Sequence, residues 1–169
     1  MRKHSKVELS VDFTELMTQS FIFNSQVGVL NVKRCNNKKL MTNLLNSYKN
    51  DDFYNYVNLQ HKKYTKEILL KSDKVEVCLL SWYPGSFSKI HDHSHNGCYM
   101  KILEGFLEEH KYKAKTLNFM KKNIYSKNNI SFIDNSYYHK IKNNTIYPAF
   151  SLHIYSPPEH KVKFYTGIV

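Results

Sequence analysis

The chain has 169 residues, 41% of them hydrophobic, and a formal net charge of +11. That length suits one domain with a buried core, and the absence of any apolar run near the roughly 20 residues of a membrane helix excludes a spanning segment of that kind. Lysine is spread along the chain, arginine is limited to Arg2 and Arg34, and Asn, Ile and Tyr are abundant with it, so the charge reads as biased composition and neither nucleic acid nor a membrane is an expected partner.

In chain order, MRKHSKVELS is basic but leads into no apolar stretch, so it does not read as a secretory signal. Residues 1–60 read as helical. Ser10 or Asp12 caps DFTELMTQSFIF, in which Phe13, Leu16, Met17 and Phe21 recur near a 3.6-residue period. NNKK (36–39) reads as a loop, and KKLMTNLLNSYKN repeats the helical pattern with Leu40, Met41, Leu44 and Leu45. NDDFYNYVNL reads as a short third helix capped by Asp51 or Asp52.

From Tyr64 the texture becomes that of short strands: EVCLLSW, YMKILEGFLEEHKYKA, NISFID, AFSLHIYS and KVKFYTGI. Pro84-Gly85, Asn96-Gly97, Lys127-Asn128-Asn129 and Asn143-Asn144 punctuate them. The pattern predicts a mostly β fold, an antiparallel barrel over 64–169 with the helices of 1–60 packed on it, in a single domain spanning 1–169. Cys35, Cys78 and Cys98 are odd in number and widely scattered, which speaks against a disulfide framework and predicts a reducing, cytoplasmic setting. The chain is expected to be a monomer.

The chemistry concentrates in IHDHSHNGCYMKILEG. Alternation puts His91 and His93 on one face of a strand with Cα atoms roughly 6.6 Å apart, a spacing that suits one metal ion or an ordinary pair of surface histidines. His95 continues the alternation but falls in the turn toward Asn96-Gly97. His61, His110, His160 and His4 have no partner pattern and read as surface residues, while Cys35 and Cys78 read as small buried hydrophobes. In SLHIYS, Ser151, His153 and Tyr155 share one face and Leu152 and Ile154 the other. That polar face is either exposed or an internal hydrogen-bonded one.

Gly85, the HDH triplet and Gly105 resemble the first motif of the cupins, and His139 with Asn143 the second, with Asp134 and Ser136 where its proline and glycine usually stand. Trp82, HDH, Cys98, the K-x-L-x-G run, His139 and SLHIYSPP in that order resemble the cysteine dioxygenases, from about Tyr64 to Pro158. The resemblance implies a jelly-roll-like cupin barrel. It also implies an Fe(II) centre of His91, His93 and His139, with His153 the rival third ligand, and a small thiol and O2 as reactants. Cys98, at the usual glutamate position, is implied to form a thioether with Tyr155, the catalytic tyrosine, with His153 and Ser151 behind it. Three neutral imidazoles bring no anion to a dipositive ion, so such a site suits a thiolate substrate.

The resemblance further implies a substrate wall of Tyr64, Lys66 and Trp82, with Lys66 where the family carries a carboxylate-binding arginine. Gly97 replaces a histidine often found before the cysteine, and the chain ends soon after SPPE, where longer relatives continue over the pocket. The implied reaction is oxidation of L-cysteine to cysteine sulfinic acid. Its alternatives are a related thiol such as 3-mercaptopropionate or cysteamine, and a metal-binding cupin without catalysis.

Overall fold

The structure is a computed structural model that describes residues 35–71, 75–158 and 160–166. Helix α1 (Cys35–Ser47) and a 3-10 helix (Asp52–Tyr56) precede ten strands: β1 (Tyr64–Lys71), β2 (Glu76–Trp82), β3 (Ile90–His91), β4 (Cys98–Glu104), β5 (Phe106–Lys113), β6 (Phe119–Ser126), β7 (Ile130–Ile133), β8 (Tyr137–Lys142), β9 (Ala149–Tyr155) and β10 (Phe164–Tyr165). They form two five-stranded sheets, β1-β2-β9-β4-β7 and β10-β3-β8-β5-β6. Every pairing is antiparallel. The expected mostly β, antiparallel architecture is present, with its strands divided between two sheets.

Strands β2, β4 and β9 are buried on both faces, because a different layer covers each side. Val77, Leu79, Tyr99, Leu152 and Ile154 face outward and pack with Met41, Leu44 and Leu45 of α1. Cys78, Leu80, Met100 and Ile102 face inward and meet Leu107 of β5 and Ile141 of β8. Lys101 belongs to the outward set, and its ammonium donates to the carbonyls of Leu45 and Tyr48 beneath α1. Such a cation takes up carbonyls that a helix C-terminus leaves unpaired.

The segment DFTELMTQSFIF lies outside the described residues. NNKK is helical rather than a loop, since α1 starts at Cys35; lysine is a good helix former and asparagine costs only some tenths of a kcal/mol. Asp51 stands at the N-cap of the 3-10 helix without a side-chain cap bond. The Phe53 N–H instead donates to the Tyr48 hydroxyl at 3.1 Å, and that hydroxyl donates to Asp52. YMKILEGFLEEHKYKA divides into β4 and β5 at Gly105, whose φ is +77°. A Cβ there would lie 2.7 Å from the Pro148 carbonyl oxygen, so only glycine fits. Strand β6 shows no alternation to read, because it edges its sheet with Phe119, Met120 and Ile124 exposed. KVKFYTGI contributes only the two-residue β10, held to β3 through Phe164–His91 and Tyr165–Ile90.

Candidate metal centre

His91 ends β3, His93 lies two residues beyond it in the loop, and His139 is the residue opposite His91 on β8. The pair is therefore not carried by one continuous strand as alternation suggests; strand β3 stops at His91 and the loop turns His93 back. The three rings nonetheless converge. His139 Nε2 is 2.8 Å from His93 Nε2 and 3.1 Å from His91 Nε2, and a ligand atom from each ring lies within 4.8 Å of the others. Ligand nitrogens held about 2.1 Å from an ion and at right angles to each other lie about 3 Å apart, so the spacing fits three facial ligands.

The far side of two rings fixes which nitrogen faces inward. His91 Nδ1–H donates to the Lys89 carbonyl at 2.8 Å. His139 Nδ1–H donates to Glu109 at 2.9 Å. These assignments follow from the acceptors present, and they leave Nε2 of each ring with a free lone pair. Burial holds all three imidazoles below their ordinary range, His93 and His139 well below it. The rings are neutral, as ligands must be.

Glu109 is a site residue that the motifs do not announce. It is fully buried on β5 and also accepts from Tyr125, Asn123 and Ser131, with Lys111 Nζ at 3.4 Å. A buried carboxylate behind a ligating histidine orients the ring and raises its basicity. Its only local signal is an acidic residue in an otherwise inward position of a strand.

His153 is turned away from the cluster. Its Nε2 lies 2.9 Å from Ser151 Oγ, which accepts the Trp82 indole N–H at 2.8 Å. Its Nδ1 lies 3.4 Å from the Tyr155 hydroxyl and 3.6 Å from Cys98 Sγ. The polar face of SLHIYS is thus an internal one, wired from Trp82 to Tyr155. Burial lowers the His153 pKa to about 3, so this ring too is neutral. Cys98 lies directly opposite Tyr155 across β4 and β9, and burial pushes its thiol well above the ordinary range. That protonated thiol is no nucleophile.

A cavity of about 300 Å³ opens over the three histidines, large enough for a small ligand. Leu80, Ile141, Val162 and Phe164 give it apolar walls, and Tyr64, Lys66 and Trp82 also line it. Tyr64 stacks on Trp82 with ring centroids 4.7 Å apart. Lys66 Nζ lies 4.7 Å over the Tyr155 ring and 2.5 Å from Glu76. Glu76 also lines the cavity and, like Glu109, carries no sequence motif.

Several sequence expectations change here. His160 is no plain surface residue: it lines the cavity and contacts Asp92 at 3.0 Å. Residues beyond SPPE therefore do wall the pocket, and Asp92, the middle of HDH, also accepts the Lys163 N–H at 2.8 Å. His95 sits exposed in its turn, as expected. Asn143 serves the fold, donating to the Trp82 and Tyr147 carbonyls. Gly97 has φ +83°, and a Cβ there would run into the Ile133 carbonyl, which explains why no histidine stands before Cys98 in this backbone.

Solved structures agree on the architecture. A Klebsiella pneumoniae protein with a double-stranded β-helix domain aligns with a TM-score of 0.58 at 16% identity, covering 68% of this chain and 94% of that one. A cupin superfamily protein from Desulfitobacterium hafniense aligns with a TM-score of 0.51 at 15% identity, covering 60% and 84%. In sequence, the chain is 30% identical over 133 residues to a cysteine dioxygenase type 1 from Danio rerio, covering 72% of this chain and 66% of the relative. It is 30% identical over 125 residues to the Homo sapiens protein of that name, covering 68% and 62%. The match thus spans just under two thirds of these relatives' length. The family described as cysteine dioxygenase type I matches residues 14–167, and the chain belongs to that family.

Proposed function

We propose that the protein is an iron-dependent thiol dioxygenase that converts L-cysteine and O2 to cysteine sulfinic acid. The observation that carries this reading is the convergence of three neutral Nε2 atoms beneath a small cavity, in a chain of this family. His91, His93 and His139 would hold the ion, and Fe(II) bound there would supply open coordination positions and the redox capacity for dioxygen to react with sulfur. Both oxygen atoms pass to the sulfur, so the reaction balances without another reductant.

The chain's own residues do the rest. Leu80, Ile141, Val162 and Phe164 keep water from the reacting sulfur. Burial raises the Tyr155 pKa well above its ordinary value, so its hydroxyl stays protonated and donates to the developing oxygen negative charge. Ser151, held by Trp82, donates to His153 Nε2, and His153 Nδ1–H then faces the Tyr155 hydroxyl. Tyr64 and Lys66 meet the far end of the substrate. The Cys98–Tyr155 register supports a thioether between Sγ and the ring, since directly opposed Cβ atoms lie about 4.5–5.5 Å apart. Dioxygen takes the two electrons and two protons that bond formation releases.

A related small thiol, 3-mercaptopropionate or cysteamine, is the second reading. Cysteamine, which has no carboxylate, is favoured by the pairing of Lys66 with Glu76, since that pair occupies part of the charge a carboxylate would use. The unpaired thiols of Cys78 and Cys98 fit a reducing cytoplasm.

Iron-loaded protein given cysteine should consume oxygen and form sulfinate in equal amounts. The turned-over protein should lose two hydrogens in intact mass, with Cys98 and Tyr155 peptides joined. His139→Ala should lose bound iron and activity, while His153→Ala keeps iron and loses rate. No oxygen uptake with any of the three thiols would leave a metal-binding cupin without catalysis. Iron retained in His139→Ala and lost in His153→Ala would reverse the ligand assignment.

A further inference from the structure

Apart from the histidines, Lys66 and Glu76 are the charged side chains lining the cavity among the described residues. They are not cross-strand neighbours. Lys66 is level with Leu80, and Glu76 with Lys71, four residues farther along β2. The two side chains therefore reach toward each other along the inner face, past Cys78, whose thiol lies 3.4 Å from Glu76 Oε1. The contact closes at 2.5 Å, with the Glu76 side chain 8% exposed and that of Lys66 40% exposed. Glu76 is also the β2 residue opposite Tyr155, which places the acid beside the tyrosine ring that Lys66 overlies.

We propose that Glu76 is a specificity-determining residue that holds Lys66 and tempers the pocket's pull on a substrate carboxylate. The proposal rests on the thiol-binding reading above. An ammonium has three protons to donate. Glu76 takes one, the Cys78 thiol and the Tyr155 ring also border the ammonium, and a substrate carboxylate approaches it from its exposed side. A substrate carboxylate that reaches it also meets the Glu76 carboxylate a few ångströms away, and the like charges repel. The pair acts as a dipole rather than as a free cation, so its attraction for an anion falls off faster with distance. Cysteamine has no carboxylate for Lys66 to attract, and its ammonium is repelled by Lys66 and drawn to Glu76. The acid therefore narrows the gap between acidic and non-acidic thiols. A lysine also lets the same cation be shared, since it is a point charge without the planar fork that commits arginine to one carboxylate.

The test compares kcat/KM for cysteine, 3-mercaptopropionate and cysteamine in the iron-loaded parent, Glu76→Gln, Glu76→Asp and Lys66→Met. Glu76→Gln should raise the cysteine-to-cysteamine and 3-mercaptopropionate-to-cysteamine ratios about 3–10-fold. Glu76→Asp, which keeps the charge, should stay near the parent ratios, and Lys66→Met should lower both. General damage to the fold moves all three thiols together, so the ratio isolates the charge. Calorimetric binding of 3-mercaptopropionate and cysteamine to iron-loaded parent and Glu76→Gln reports the same ratio without turnover. Absence of sulfinate in the parent would overturn the dioxygenase reading, while the binding ratio would still decide the role of Glu76. A ratio unchanged or lowered in Glu76→Gln overturns this inference.

Discussion

At the scale of single residues, the candidate centre depends on side chains that hold the three histidines as much as on the histidines themselves. Glu109 gives His139 one tautomer and one orientation through a 2.9 Å contact, and is itself fixed by Tyr125, Asn123 and Ser131. Glu109→Gln keeps the shape and removes the charge. It should weaken metal binding about 10–100-fold, read by competition with a chelator. Native-like circular dichroism and an unchanged affinity would show that the carboxylate does not support His139. Gly97 illustrates the opposite constraint. There the backbone, with φ +83° and the Ile133 carbonyl against it, forbids any side chain.

Helix α1 and strand β4 share an unusual buried cation. Lys101 is 2% exposed, and burial, aided by the charges of Lys49 and Lys127, lowers its pKa from 10.5 to about 8. Between these values the unfolded chain holds a proton that the folded chain has released. Lys101 therefore contributes stability that rises with pH across that window, by up to about 2–3 kcal/mol between pH 8 and 10. Other buried groups oppose it. The thiols of Cys78 and Cys98 from about pH 9, and the phenols of Tyr99 and Tyr125 above pH 10, stay protonated in the folded chain. The unfolded chain releases those protons, so each group makes stability fall as pH rises. Urea unfolding at pH 8, 9 and 10 measures the net slope, and Lys101→Met should shift it downward by the Lys101 contribution. An equal slope in that variant would assign the pH dependence elsewhere.

For the molecule as a whole, the cavity exists because segments from both sheets and the chain's last described stretch close over one point. Asp92 joins that stretch to the end of β3 through His160 and the Lys163 N–H, and β10 adds only two residue pairs to the hold. So few contacts make this the segment expected to open first. Asp92→Ala should raise amide hydrogen exchange across 160–166 about 10-fold, the loss of roughly 1–1.5 kcal/mol of charged hydrogen bonding. Exchange in β2, β4 and β9 should stay as in the parent. Unchanged exchange at 160–166 would mean that Val162 and Phe164 hold the segment by packing alone.

The amino-acid sequence by itself determined the parts whose signal is local. Period-two alternation in AFSLHIYS separates Ser151, His153 and Tyr155 from Leu152 and Ile154, and the observed strand keeps that division because each face meets a different layer. EVCLLSW was readable as β2 for a similar reason: its run of apolar residues is buried on both sides. His91, His93, Cys98 and His139 stood out as residue types in a recognisable order. Tertiary structure alone decided which ring nitrogens meet and that Glu109 stands behind His139. It also decided that Glu76 occupies Lys66 and that His160 lies against Asp92. Those partners are separated by 30, 10 and 68 residues. No local period or turn signal records such a contact, because it arises only when strand register and sheet packing have brought the side chains within a few ångströms.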